Sequence, residues 1–253
     1  MTNMLNGTTA IVTGASSGIG SATAEALADR GATVALLARR KDRLEDLARK
    51  LNTKRERAAH IFELDVSDHA SIKGVLDRIT GELGTIDILV NCAGIGTWGP
   101  AMEANLGDWQ AMVDVNLTGV MATIHAALPY LVGSAQAARG VADVVTVSSI
   151  AGRKVPGPVG SVYAATKHGV GAFCEGLRQE FAKQHVRVGL VEPGIVETEM
   201  TTSGAQYAPD ARNPSGLGVL KPEDVADAIV YMVSRPAHSA INEILIRPTE
   251  QVV

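Results

Sequence analysis

Thr9-Ala10-Ile11-Val12-Thr13 is a short, largely β-branched run, and Gly14-Ala15-Ser16-Ser17-Gly18-Ile19-Gly20 follows it directly, ahead of helical periodicity over 21–30. A strand that breaks into glycines and restarts as a helix lets a phosphate approach backbone N–H groups at a helix N-terminus. Gly31 ends the helix and a second apolar run over 33–38 completes a β-α-β unit. Further along, helical patterns over 43–52, 71–83, 109–130, 162–184 and 222–234 separate apolar runs over 60–64, 86–91, 141–147, 187–191 and 243–246. The pattern predicts an α/β fold, a Rossmann-like doubly wound parallel sheet of about seven strands with helices on both faces.

No composition break or long linker divides the 253 residues, so a single domain over 1–253 is expected. Two loop-rich stretches stand out. Residues 152–161 hold three glycines and two prolines, and 201–218 are rich in Gly, Ala, Ser, Pro and Asn. The second is long for a compact domain and reads as a mobile substrate loop at 200–220.

A net charge of −4 gives no chain-wide attraction for phosphate backbones or anionic lipid, so neither nucleic acid nor membrane is expected as a partner and small-molecule chemistry is. The basic cluster at 50–57 reads as a solvated helix end. The N-terminus lacks a basic stretch followed by an apolar run, and the longest apolar stretches, such as 34–38, are too short to cross a bilayer. A cytoplasmic location is expected. Cys92 and Cys174 make neither a disulfide framework nor a metal cluster and read as small buried residues, so no metal is expected.

The second strand discriminates between dinucleotides. An acidic residue at its end would bond the adenosine ribose and repel a 2′-phosphate, but Ala38 stands there, followed by Arg39-Arg40. Arginine offers charge-assisted, multidentate contacts to phosphate, so NADP(H) is expected over NAD(H).

With these residues in place, the chain resembles the short-chain dehydrogenase/reductase family across essentially its whole length. The Gly-x-x-x-Gly-x-Gly spacing is the family's, Asp65-Val66 resembles its adenine contact, and Asn91-Cys92-Ala93-Gly94 its Asn-Asn-Ala-Gly motif with Cys92 replacing the second Asn. Asn116, Ser149, Tyr163 and Lys167 correspond to its catalytic tetrad, and Pro193-Gly194-Ile195-Val196-Glu197-Thr198 to the segment that holds the nicotinamide. The resemblance implies cofactor contacts from Gly14, Ser16, Ser17, Gly18, Ile19 and Gly20 in the turn, and from Arg39, Arg40, Asp65 and Val66 around the adenosine. It adds Asn91, Ala93, Gly94, Tyr163, Lys167, Pro193, Gly194, Val196 and Thr198. A homo-oligomer, tetramer or dimer, is implied too. The gap of fourteen positions from Ser149 to Tyr163 is one more than the commonest members show, and the C-terminus lacks their usual glycine pair. It is similar to the branch containing clavulanic acid dehydrogenase and the 3-hydroxy acid or serine dehydrogenases.

Tyr163 and Lys167 stand four apart on one helix and therefore share a face. A free phenol titrates near about 10, so acid-base work near neutrality asks for about 3 to 4 kcal/mol of phenolate stabilisation, which Lys167 and an oxidised nicotinamide would supply. In reduction Tyr163 would protonate the developing alkoxide, and in oxidation its phenolate would accept the alcohol proton. Ser149 would donate to the substrate oxygen, while Ser148 should point to the other side of the strand. Asn116 would hold a water linking Lys167 to solvent. The pocket wall is expected from 95–98, 153–159, Ile195 and 200–220; a substrate carboxylate would need a cation such as Arg153, Lys154 or Arg212, each of which reads more often as a solvated surface charge. The few aromatic residues argue mildly against a wall of stacked rings. Two other readings of the same residues are a non-catalytic NADP(H)-binding redox sensor, and an epimerase or dehydratase with no net cofactor change.

Overall fold

The computed structural model describes residues 4–155, 157–204, 206–207, 209 and 216–252. Seven parallel strands form one sheet: β1 (Thr9–Thr13), β2 (Thr33–Ala38), β3 (Ala59–Glu63), β4 (Ile88–Asn91), β5 (Ala142–Val147), β6 (Val186–Pro193) and β7 (Glu243–Ile246), in the order β3-β2-β1-β4-β5-β6-β7. The order reverses beside β1, which is where a doubly wound sheet opens a crevice at its carboxyl edge. Thr13 is in register with both Leu37 of β2 and Asn91 of β4, so the glycine-rich turn leaves the sheet at that point.

Strand alternation sorts the core into two layers. Ala10 and Val12 face the layer of α1 (Gly18–Asp29), α2 (Lys41–Lys54) and α8 (Pro222–Val233), where Leu27, Leu44 and Ile229 are fully buried. Ile11 faces the layer of α3 (His69–Leu83), α5 (Gly119–Ala135) and α6 (Ser161–Phe181), packed by Leu76, Ile124 and Val170. Fully burying a Leu or Ile side chain contributes about 1.5–3 kcal/mol, so two apolar helix layers on a sheet apolar on both faces hold it without disulfides.

Three features depart from the sequence reading. The helix expected over 109–130 runs from 106 to 135 as α4 (Leu106–Val113), a π turn (Asp114–Thr118) and α5. It is long and apolar enough to cross a membrane by length and composition, contrary to the expectation that no stretch is, although Ile124, Ala127 and Leu131 are buried against the sheet. Second, the basic cluster at 50–57 is not merely solvated. Lys50 and Lys54 pair with Glu25 and Asp29 of α1, and Arg55 donates to the carbonyl of Ala32. Third, α1 begins at Gly18 inside the glycine-rich turn rather than at residue 21.

Candidate active site

Backbone contacts that only glycine permits shape the turn after β1. Gly14 has φ +68°, and a Cβ there would lie 2.8 Å from the Ala93 nitrogen; one on Gly20 would lie 2.3 Å from the Gly14 carbonyl oxygen. Thr13 Oγ1 accepts from the nitrogens of Cys92 and Ala93 at 3.1 and 3.2 Å, locking the turn onto the end of β4. Ser17 caps α1 with extended backbone and no side-chain bond to the helix, and the first turn carries no acidic residue. The helix N-terminus therefore faces the cleft with free N–H groups and an unopposed dipole.

The cleft has a volume of about 710 Å³ and runs along the carboxyl edge of the sheet. From the sequence-expected cofactor set it is lined by Gly14, Ser16, Ser17, Gly18, Ile19 and Gly20, by Arg39, Arg40, Asp65 and Val66, and by Ala93 and Gly94. On the other side stand Ser149, Tyr163, Lys167, Pro193, Gly194, Val196 and Thr198. Asn91 and Asn116 lie behind the wall. Asn91 is buried and donates to Thr146 Oγ1 at 3.2 Å, tying β4 to β5.

Asn116 sits in the π turn, where Gly119 N donates to the Asp114 carbonyl. A Cβ on Gly119 would meet the Val66 carbonyl oxygen at 2.7 Å, so glycine permits the approach of the widened turn to the β3 end. The Asn116 side chain accepts from Ile95 N at 2.9 Å and donates to Ile95 O at 2.8 Å. Its side-chain amide thus fixes the loop after β4.

Ser149 follows β5 with extended backbone and caps the 3-10 turn Ile150–Gly152, accepting from Ala151 N at 3.1 Å. Ser148 instead is buried and its hydroxyl points at the Lys167 carbonyl, 3.4 Å away. Tyr163 lies on the first turn of α6 and Lys167 one turn on, its Nζ donating to the Val147 carbonyl at 2.9 Å and standing 5.6 Å from the Tyr163 ring centre. Burial pulls the Lys167 ammonium down to about 8, against the pull of Cys92. Burial pushes the Tyr163 phenol up, opposed by a hydrogen bond with Ser149. Among the protein's own groups burial thus outweighs the bond that lowers the phenol. The Lys167 ammonium stands over the ring, but desolvation dominates.

Trp98 packs over this corner, its ring 5.6 Å from that of Tyr163, and Gly160 leaves room for it. The two rings are tilted by 44° rather than stacked. Cys92, expected as a buried residue, is only partly buried and lines the cleft, and burial pushes its thiol up to about 12, with Thr23 and the Lys167 charge opposing.

Two cations that a carboxylate substrate could have used do not line the cleft. Arg153 turns away from it, donating through Nε to both oxygens of buried Glu192 at 2.8 and 2.7 Å and through Nη2 to Glu243. Lys154 does not line it either, and Arg212 falls outside the described residues. The substrate segment expected over 200–220 is described only in part. Its base is pinned where Glu197 N donates to Leu220 O at 2.8 Å and Leu220 N to Ile195 O at 3.0 Å, and Tyr207 and Pro209 line the cleft. Sequence reasoning missed Glu199, which lines the cleft and pairs with Arg40 and Arg43. A single acidic residue at the head of a short helix carries no signal until the fold brings α2 to it.

A phosphate-cradling turn at the switch point of a parallel sheet, with Ser, Tyr and Lys on the facing wall, defines a Rossmann-type oxidoreductase architecture. The chain belongs to the short chain dehydrogenase family, whose pattern it matches over residues 8–207. It is 41% identical over 98% of its length to glycine betaine reductase of Emericella nidulans, but spans only 19% of that protein. An uncharacterized oxidoreductase of Staphylococcus haemolyticus is 36% identical, with 96% of this chain and 98% of that one covered. Among solved structures, the closed form of serine dehydrogenase complexed with NADP+ superposes with a TM-score of 0.86 at 32% identity, covering 97% of this chain and 96% of that one.

Proposed function

We propose that this chain is an NADP(H)-dependent oxidoreductase that transfers a hydride between the cofactor and the alcohol or carbonyl carbon of a small molecule. The observation that carries the reading is the convergence of Ser149, Tyr163 and Lys167 on the same cleft as the Gly14–Gly20 turn and Arg40. The cradle fits a dinucleotide, because glycine at 14 and 20 lets the turn pack against Ala93 and onto itself while the uncapped N-terminus of α1 faces the cleft. Arg39 and Arg40 at the end of β2, with Ala38 in place of an acid, favour the 2′-phosphorylated form. The NADP+ complex of the similar serine dehydrogenase supports the same choice.

The nicotinamide, when bound, supplies or accepts the hydride. Ser149 donates to the substrate oxygen, where negative charge develops, and Tyr163 delivers the proton to the same oxygen. A phenol pushed up by burial is held in its protonated form, the form that carbonyl reduction consumes. Lys167, nearly buried and anchored on Val147, keeps an ammonium beside the phenol to stabilise the phenolate left behind. Asn116 positions the Ile95 loop beside the reacting corner. Trp98 closes the reacting corner and limits the substrate's bulk beside Tyr163.

Among the described cleft residues, the cations are Arg39, Arg40 and Lys167, all engaged in the cofactor and proton roles above. With Arg153 committed to Glu192, a small uncharged or cationic carbonyl compound fits the described wall better than a carboxylate. The chain acts as one domain over 1–253, in the cytoplasm, as a homo-oligomer, most simply a tetramer, with no nucleic-acid or membrane partner. The exposed outer strand β7 and exposed Met102 and Leu106 supply surface for such assembly. Tyr163→Phe tests the mechanism: cofactor affinity stays near wild type while turnover falls by about 10³-fold or more. Turnover close to wild type would remove Tyr163 from the chemistry.

A further inference from the structure

Glu199 opens α7 (Glu199–Thr202), and its carboxylate reaches back to two arginines at the start of α2, accepting from Arg40 Nη1 at 2.8 Å and from Arg43 Nη1. Arg40 is bound at the same time to the glycine-rich turn. Its Nε donates to Ser16 Oγ at 3.1 Å, and its Nη2 to Ser16 and Ser17 at 3.0 and 2.7 Å. One guanidinium therefore bridges the hydroxyls of the phosphate turn and a carboxylate from the segment that follows β6. Arg40, Ser16, Ser17 and Glu199 line the cleft, whereas Arg43 stands behind it.

We propose that Glu199 is a positioning residue that sets the NADP(H)-to-NAD(H) preference: it occupies Arg40 as an internal stand-in for the 2′-phosphate and must be displaced when that phosphate binds. The inference rests on reading the cleft as a dinucleotide site. Glu199 is ionised, since hydrogen bonds from Arg43 and Arg40 hold its carboxyl below the usual range. A phosphate brought to Arg40 meets this like charge and has to exchange with it, while a ribose carrying only a hydroxyl does not. Arg40 needs no help from Glu199 to stay in place, because Ser16 and Ser17 hold its other edge. The carboxylate thus weakens the phosphorylated cofactor selectively, and Arg43 keeps it within reach to return.

The test is calorimetric titration of wild type, Glu199→Gln, Arg40→Gln and the double variant with NADP+, NAD+ and 2′,5′-ADP. Glu199 has a side chain 53% exposed, so the glutamine variant does not threaten the fold. Glu199→Gln should bind NADP+ and 2′,5′-ADP about three- to tenfold tighter, with NAD+ changed less than about twofold, and the gain should vanish in the Arg40→Gln background. Unchanged or weaker NADP+ binding in Glu199→Gln, or an equal gain for NAD+, overturns the inference. If Arg40→Gln still abolishes the preference for NADP+, the reading of the cleft survives that failure. If wild type binds neither NADP+ nor 2′,5′-ADP, that reading falls and the inference with it.

Discussion

Replacing Arg153 by Met breaks an ion pair whose acidic member is inside the protein. The Glu192 side chain on β6 is 2% exposed and receives Arg153 Nε on both oxygens, while the Arg153 side chain is 43% exposed and also reaches Glu243 on the outer strand β7. Removing one partner of a fully buried pair costs about 3–5 kcal/mol, because a bare charge is left in low dielectric. Water already reaches the guanidinium, so a discounted loss of about 1–3 kcal/mol is expected. At about 2–4 °C per kcal/mol for a chain of this size, a loss of about 2 kcal/mol lowers the melting temperature by about 4–8 °C. The loss depends on pH in a direction the site dictates. Burial holds the Glu192 carboxyl above its ordinary value, against the hydrogen bond and charge of Arg153. The folded protein thus keeps this proton to higher pH than the unfolded chain, and stability falls as pH rises through that window. Without Arg153 the window extends upward, so the variant's deficit is full above it and shrinks as the carboxyl protonates. Melting at about pH 8 and about pH 5 measures this, with Arg153→Met/Glu192→Gln expected to recover most of the loss. An equal deficit at both pH values, or a double variant as unstable as the single one, refutes the reasoning.

Three further outcomes follow from the cleft. Ala38→Asp restores the ribose-binding acid and repels a 2′-phosphate, shifting the NADP+/NAD+ ratio of kcat/KM toward NAD+ by about tenfold or more; an unchanged ratio would mean that the phosphate is read elsewhere. Gly20→Ala drives a Cβ to 2.3 Å from the Gly14 carbonyl oxygen. The turn must move, at about 1–3 kcal/mol, and cofactor affinity measured by titration should fall about 5- to 100-fold; wild-type affinity would show that the turn does not form the cradle. Carbonyl reduction should decline as pH rises through about 8, where the Lys167 ammonium loses its proton, and a flat profile across that range would separate Lys167 from the chemistry.

The fold was legible because the chain's signals agree. β1 and β2 occupy the residues that the apolar runs predicted, and β7 coincides with its run although its residues are only partly buried. The start of α1 was misplaced because glycine is a poor helix former, and here Gly18 and Gly20 serve the turn and the helix at once. The π turn at Asp114–Thr118 leaves no mark in the periodicity; its cause is tertiary, the approach of Gly119 to the Val66 carbonyl. The candidate site residues came from motif order along the chain, and the fold brings all but Asn91 and Asn116 to the wall of one cleft. The roles of charged side chains were the least legible. Arg153 was read as more often a solvated charge than a substrate ligand and is tied to buried Glu192, and Glu199 was passed over and holds Arg40. Both errors have one origin: long charged side chains choose partners across the sheet, and sequence spacing does not encode those distances.

The most direct test of hydride transfer is to follow NADPH by its reduced-nicotinamide absorbance against a panel of small aldehydes and ketones, including ones bearing a quaternary ammonium and ones bearing a carboxylate, while quantifying product. Net NADPH oxidation matched one for one by alcohol formed is the predicted result. Product formed without net change in NADPH, or tightly bound NADPH that no carbonyl compound in the panel consumes, would contradict it.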